Sequence, residues 1–180
     1  MCQNALVFPC KAFGYTTSGH GTIKSFSPDL YPHYFIFTFV RNPYSRLLSV
    51  YNYLKSGGVN PEDHEDYKRY LSEYKNFEDF IMVGLKNNSE FLFNQQHLKP
   101  QHFLTHLNNN TTPCNFIGKF ENLVEDFNNL CSKINQGFLS LPWENSSNNP
   151  IDLQKDYSQD MKAIVYDKYK LDFELFDYEI

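Results

Sequence analysis

The chain alternates short apolar runs with amphipathic stretches, and the clearest succession lies between residues 35 and 54. Residues 35–40 form an aromatic and β-branched run that is long enough for one buried strand. Asn42 and Pro43 then interrupt the run and are typical of a helix N-cap and its first residue. Beyond them, apolar residues recur at helical spacing at Tyr44, Leu47, Leu48, Tyr51 and Leu54. The pattern predicts a strand, a tight turn and a helix in direct succession.

This turn brings a helix N-terminus to the end of a strand. The free N–H groups and the helix dipole at that point favour an anion. Arg41 lies in the turn, and Ser45 and Ser49 follow at four-residue spacing on one face of the helix. An arginine fork and a serine hydroxyl together can hold a phosphate. The alternative interpretation is an ordinary strand–helix turn with a surface arginine.

A second strand–helix succession follows later in the chain. Residues 114–120 predict a strand, and residues 121–130 predict an amphipathic helix. Alternation of strands and helices favours an α/β fold with a parallel sheet. Elsewhere, residues 56–66 predict a polar loop and residues 67–74 a helix. Two further helices are expected to begin after the N-cap residues Asn76 and Ser158.

Composition and charge exclude several functional classes. The 180 residues include 17 Phe and 13 Tyr, which predicts one domain with an aromatic core. A formal net charge of −5 leaves no basic footprint for nucleic acid, so none is expected as a partner. No apolar run approaches the length that crosses a membrane. The cysteines lack metal-ligand spacing and are predicted to be free thiols: Cys2, Cys10, Cys114 and Cys131.

Three histidines, His97, His102 and His106, fall within ten residues. They are spaced five and four positions apart, and no carboxylate or thiol residue lies near them in the sequence to complete a set of metal ligands. We therefore predict no metal site.

Residues 40–49 (Val-Arg-Asn-Pro-Tyr-Ser-Arg-Leu-Leu-Ser) resemble the 3′-phosphate-binding motif of sulfotransferases that use 3′-phosphoadenosine 5′-phosphosulfate (PAPS). The resemblance is to the branch that contains carbohydrate sulfotransferases, heparan sulfate 2-O-sulfotransferase and their bacterial homologues. In that family the arginine and the serine eight positions later bind the 3′-phosphate of the donor. The resemblance therefore implies donor binding by Arg41 and Ser49, with Ser45 on the same helix face.

Two further segments resemble the same family. The strand–helix step over residues 114–130 is similar to a segment whose start lies near the nucleotide, which implies a donor contact by Lys119; a solvated lysine is the alternative. Residues 97–104 are similar to a bacterial segment with a Pro-Gln pair after a basic residue. That similarity implies acceptor binding by Lys99, Gln101 and His102, and structural roles for them are the alternative.

His20 lies between two glycines, 21 positions before Arg41. Family members carry a histidine-containing segment about twenty residues before the arginine motif. In heparan sulfate 2-O-sulfotransferase this histidine is the catalytic base. The resemblance therefore implies that His20 is the catalytic base of this chain.

The family's P-loop-like element, whose lysine holds the 5′-phosphosulfate, has no counterpart with the expected spacing. Residues 8–17 contain a proline, a lysine, a glycine and two threonines, but they lie too close to the histidine segment. We therefore expect this element to be absent, with Lys11 as the remaining candidate for its lysine. The chain is accordingly predicted to be N-terminally truncated relative to the family.

These observations and the resemblance together predict a three-layer α/β sandwich with a central parallel sheet, the P-loop NTPase-like sulfotransferase fold. We expect one domain over residues 1–180, with residues 1–19 unassigned and residues 20–178 covered by the resemblance. A cytoplasmic location is preferred, and the Golgi lumen is the alternative for a trimmed eukaryotic enzyme.

The implied function is transfer of a sulfuryl group from PAPS to a carbohydrate hydroxyl, without a metal and with 3′-phosphoadenosine 5′-phosphate (PAP) as product. The alternative is a catalytically inactive nucleotide- or glycan-binding module on the same scaffold. A kinase-like phosphotransferase is disfavoured because the chain has neither GxxxxGK[ST] nor an evident acidic Mg²⁺ ligand.

Overall fold

The computed structural model describes residues 6–9, 22–25, 27–137, 139, 141 and 152–180. They fall into two compact units. The strand unit comprises Met1–Arg41 and Gln101–Asn148, and the helical unit comprises Asn42–Pro100 and Asn149–Ile180. Organisation of these units as a single domain stays a prediction.

The helices of the described residues alternate with short turns. In chain order they are α1 (Pro43–Lys55), α2 (Pro61–Tyr70), α3 (Phe77–Asp79), α4 (Lys86–Leu92), α5 (His102–Thr105), α6 (Leu123–Lys133), α7 (Leu153–Asp156) and α8 (Gln159–Leu175). A π-helical segment, Phe80–Leu85, joins α3 to α4. The 3₁₀ turns are Ile23–Ser25, Pro28–His33 and Phe120–Asn122.

The strand unit contains a sheet of three strands among the described residues. The central strand β2 (Tyr34–Val40) pairs antiparallel with β1 (Leu6–Pro9) and parallel with β3 (Phe116–Lys119). The two predicted strands and their parallel pairing are therefore confirmed, and the described sheet is mixed because β1 adds an antiparallel neighbour. Antiparallel neighbours need no helical crossover. The described part of the β1–β2 connection contains only 3₁₀ turns.

The step from β3 to α6 is fastened by a local hydrogen bond. The Asp126 carboxylate in the first turn of α6 accepts the backbone N–H of Lys119 at 2.6 Å. Gly118 permits close packing on the neighbouring strand, since a Cβ atom there would lie 2.4 Å from a ring carbon of Phe39. The helix begins two residues later than predicted because Phe120–Asn122 forms a 3₁₀ turn.

The helical unit is built around α1 and α8. The five apolar positions predicted for α1 are all buried: Tyr44, Leu47, Leu48, Tyr51 and Leu54. They pack in one aromatic-rich core with Phe80 and Phe173, both of which are almost completely buried. The Tyr157 hydroxyl donates to the Tyr44 carbonyl at 2.7 Å, and burial raises the pKa of that hydroxyl well above its usual value.

Helix α2 occupies much of the segment that was predicted to be a loop. The Asn60 side chain accepts the N–H of Asp63 at 2.8 Å, and Pro61 begins the helix. An N-cap, a proline at the first position and acidic residues in the first turn are a complete helix-start signal. The strongly polar composition obscured that signal, because only Asp63 and Tyr70 of this helix are buried.

Replacing Asn42 with alanine should destabilise the protein by about 1 kcal/mol. The Asn42 side chain caps α1, accepting the N–H of Tyr44 at 2.9 Å and that of Ser45 at 3.5 Å. Urea-induced unfolding measures the change in free energy. Asn42→Ser is the matched control because serine can also cap the helix. An alanine variant as stable as the wild type would contradict this role.

Candidate functional site

The candidate site in the strand unit lies at the carboxyl ends of two neighbouring parallel strands. Val40 pairs in register with Lys119, and Arg41 follows Val40 directly. The backbone therefore brings two cationic residues to one edge of the sheet, although the chain carries a formal net charge of −5. In α/β sheets, ligands bind outside the carboxyl ends of parallel strands. This edge is therefore suited to an anion.

Arg41 is held through both its backbone and its side chain. The Gln101 amide nitrogen donates to the Arg41 carbonyl at 2.8 Å, and its amide oxygen accepts the Arg41 N–H at 2.8 Å. The Arg41 guanidinium lies over the Phe120 ring, 4.6 Å from the ring centroid. Stacking on an aromatic ring holds the planar guanidinium in one orientation, and a guanidinium matches the geometry of a phosphate.

The helical unit begins with α1, which spans 13 residues and carries the two serines of the motif. Ser45 and Ser49 are both half-buried on this helix. The Ser45 hydroxyl donates to the Asn42 carbonyl at 3.2 Å. Because the Asn42 side chain already accepts the N–H groups of Tyr44 and Ser45, fewer free donors remain at this end than the sequence suggested.

The three predicted acceptor residues differ in their surroundings. Gln101 is 0% exposed and both ends of its amide are bonded to the backbone of Arg41, while its acceptor contact stays a prediction. His102 is half-buried, and its ring packs on Phe103 with centroids 4.4 Å apart. Lys99 belongs to the helical unit and is also half-buried.

A buried arginine within the motif was missed by the sequence analysis. Arg46 is 7% exposed, and its guanidinium donates to the Lys99 carbonyl at 2.8 Å. Burial lowers the pKa of Arg46, while nearby Tyr169 and Asp172 act in the opposite direction. Its signal was its position among the apolar residues of α1, where a charged side chain is buried only when it has partners.

The segment that carries Lys99 is held from α8 as well as from α1. The Tyr169 hydroxyl donates to the Leu98 carbonyl at 2.6 Å. Burial raises the pKa of this tyrosine, so the hydroxyl keeps its proton and remains a donor. The backbone that carries Lys99 is therefore fixed within the helical unit.

Two candidate residues, His20 and Lys11, lie outside the described residues. Cys2 and Cys10 do so too, whereas Cys114 and Cys131 are free thiols. The described part of the chain contains no helix long and apolar enough to cross a membrane.

The histidines considered for a metal site have other neighbours. A nitrogen of His97 lies 3.7 Å from the Asp63 carboxylate, and His106 shares a 2.8 Å hydrogen bond with Thr105. Among residues 22–137 and 152–180, as far as they are described, no group of three or more potential ligands converges.

The similarity to known proteins extends beyond these residues to most of the chain. A profile described as "Sulfotransferase family" matches residues 15–179. The chain belongs to the sulfotransferase family. His20, Arg41, Ser49, Lys99 and Lys119 fall within the matched range, whereas Lys11 precedes it.

Two curated relatives of this chain are carbohydrate sulfotransferases. Carbohydrate sulfotransferase 11 from Mus musculus and from Rattus norvegicus are each 28% identical over 174 residues. The match covers 82% of this chain and 47% of each relative, so the chain spans about half the length of the curated relatives it matches. No solved structure matches the chain significantly.

Proposed function

We propose that this member of the sulfotransferase family transfers a sulfuryl group from PAPS to a hydroxyl group of a carbohydrate. The supporting observation is the pair of cationic residues, Arg41 and Lys119, at the carboxyl ends of two parallel strands. The similarity to carbohydrate sulfotransferase 11 supports the class of acceptor. We further propose the three-layer sulfotransferase arrangement for the complete fold.

Donor binding is proposed for the residues of the motif. Arg41 and Ser49 would bind the 3′-phosphate, with Ser45 and Lys119 as additional contacts. These residues fit a phosphate group, because a guanidinium fork, an ammonium and hydroxyls are all donors to its oxygens. Holding the donor in this way is positioning rather than chemistry.

The proposed reaction is an in-line transfer for which PAPS supplies the activated sulfuryl group. A bond forms between the acceptor oxygen and sulfur, and the bond between sulfur and the 5′-phosphate oxygen breaks, with its electron pair leaving on PAP. The neutral imidazole of His20 would take the hydroxyl proton. Lys11 remains the proposal for the cation beside the leaving phosphate, where developing charge needs stabilisation. Lys99 and His102 remain proposals for acceptor binding.

Calorimetric titration with PAP and with adenosine 5′-phosphate, which lacks the 3′-phosphate, tests donor binding. We expect the wild type to bind PAP more tightly. Arg41→Ala should weaken PAP binding by about 10–100-fold, because charge-assisted hydrogen bonds are lost. Adenosine 5′-phosphate binding should not change.

Arg69→Ala is the matched control, since Arg69 is an exposed arginine stacked on Tyr70. Unchanged PAP affinity in Arg41→Ala would contradict the assignment of Arg41. A wild type without preference for PAP would contradict donor binding as a whole. PAP binding without sulfuryl transfer to carbohydrate acceptors would favour the nucleotide-binding module.

A further inference from the structure

Gln101 is a buried residue whose side chain is hydrogen-bonded to the backbone of another residue. Its amide bonds both the N–H and the carbonyl of Arg41, 60 positions earlier in the chain. Arg41 lies one residue beyond the end of β2, where the regular ladder with β3 has ended. The side-chain amide therefore acts like one residue of a neighbouring strand and continues the sheet by a single step.

The backbone of Gln101 is itself fixed. Its carbonyl accepts the Leu104 N–H at 2.9 Å and the Thr105 hydroxyl at 3.2 Å, both from α5. A side chain that is fully buried on a fixed backbone has few alternative rotamers. Gln101 can therefore hold the main chain of Arg41 in one conformation.

The side chain of Arg41 is also held in place, by a contact at its guanidinium. Its guanidinium lies over Phe120, and Phe120 directly follows Lys119 at the end of β3. Free arginine side chains lose much rotamer freedom when they bind a ligand. A guanidinium that is already placed before binding avoids part of this loss, which strengthens binding.

We propose that Gln101 and Phe120 form an Arg41 clamp, in which Gln101 is a positioning residue for recognition of the 3′-phosphate. The clamp rests on the proposed function, because it presupposes that Arg41 contacts this phosphate. It also replaces the acceptor contact expected of Gln101 from the sequence. Gln101 thus affects the donor through Arg41, without touching it.

The test compares affinities for PAP and adenosine 5′-phosphate in Gln101→Met. Methionine has a similar length but neither donates to the Arg41 carbonyl nor accepts its N–H as an amide does. We expect PAP binding to weaken by about tenfold, while adenosine 5′-phosphate binding is unchanged. Added to Arg41→Ala, Gln101→Met should weaken PAP binding no further, because its effect passes through the missing guanidinium.

Gln95→Met is the matched control. Gln95 is 2% exposed and also uses both ends of its amide, donating to Asp66 at 3.1 Å and accepting the Leu98 N–H at 2.9 Å. The Gln95→Met variant should lose about as much stability as Gln101→Met. It should keep the wild-type ratio of the affinities for PAP and adenosine 5′-phosphate. Should Gln101→Met fail to fold, Phe120→Leu applies the same test to the other half of the clamp.

The outcomes separate this inference from the function on which it rests. A wild type without preference for PAP refutes donor binding by Arg41. A wild type with that preference, and a Gln101→Met or Phe120→Leu variant that retains it in full, overturns the clamp alone. Fully additive losses in the Arg41→Ala double variant would also overturn it, since Gln101 would then act independently of Arg41.

Discussion

Replacing Arg46 with methionine should lower the free energy of unfolding by about 1–3 kcal/mol, because a buried charged donor is lost and the carbonyl that it bonds is left without it. Arg46 is 7% exposed and interacts electrostatically with Asp172, which is 0% exposed. The change removes a positive charge beside this buried carboxyl. It also removes the donor to the Lys99 carbonyl, a hydrogen bond of 2.8 Å. Urea-induced unfolding followed by circular dichroism measures the loss.

Two further variants show whether the loss arises from the buried charge. Arg69→Met removes an exposed arginine and should change stability by less than about 1 kcal/mol. Asp172→Asn combined with Arg46→Met should be less destabilising than the sum of the two single changes, because the carboxyl no longer needs the guanidinium. A loss for Arg46→Met as small as that for Arg69→Met would show that the buried arginine is dispensable.

Replacing His20 with alanine should lower the rate of sulfuryl transfer by about 10²–10⁴-fold, the contribution typical of a general base. His20 lies outside the described residues, so this prediction rests on its place in the motif order and within the family match. The PAP affinity should not change, because Arg41 and not His20 is proposed to hold the 3′-phosphate. Because a general base must be unprotonated, the wild-type rate should fall at acidic pH, and the variant should lack this fall.

His33→Ala is the matched control because His33 is exposed at the end of a 3₁₀ turn. It should keep both the rate and its pH dependence. Equal turnover in His20→Ala would remove His20 from the mechanism. A parallel loss of PAP affinity would indicate a disturbed donor site rather than a missing base.

The sequence predicted best those elements whose signals lie within a few residues. The run over 35–40, the Asn42 cap and the apolar spacing of α1 were sufficient for β2 and α1, and both are confirmed. The caps at Asn76 and Ser158 are likewise confirmed by side-chain hydrogen bonds to the first turns of their helices. The N-cap at Asn60 was equally local, but it was overlooked because polar residues dominate α2.

Long-range partners could not be predicted in the same way. Nothing near Gln101 in the sequence indicates that its amide bonds the backbone of Arg41, and nothing near Arg46 indicates a bond to the Lys99 carbonyl. The antiparallel direction of β1 also depends on the path of the chain rather than on the composition of the strand. These features therefore appeared only with the structure.

By itself, the sequence determined both strand–helix successions, the helix caps at Asn42, Asn76 and Ser158, and the motif that carries Arg41 and Ser49. Such features depend on local backbone preferences and on hydrogen bonds between near neighbours. The tertiary structure decided which buried polar side chains bond which distant backbone groups. Gln101 bonds the backbone of Arg41, and Arg46 bonds the carbonyl of Lys99. Burial forces each polar group to find a hydrogen-bond partner, and only folding brings together partners that lie 53 or 60 positions apart in the sequence.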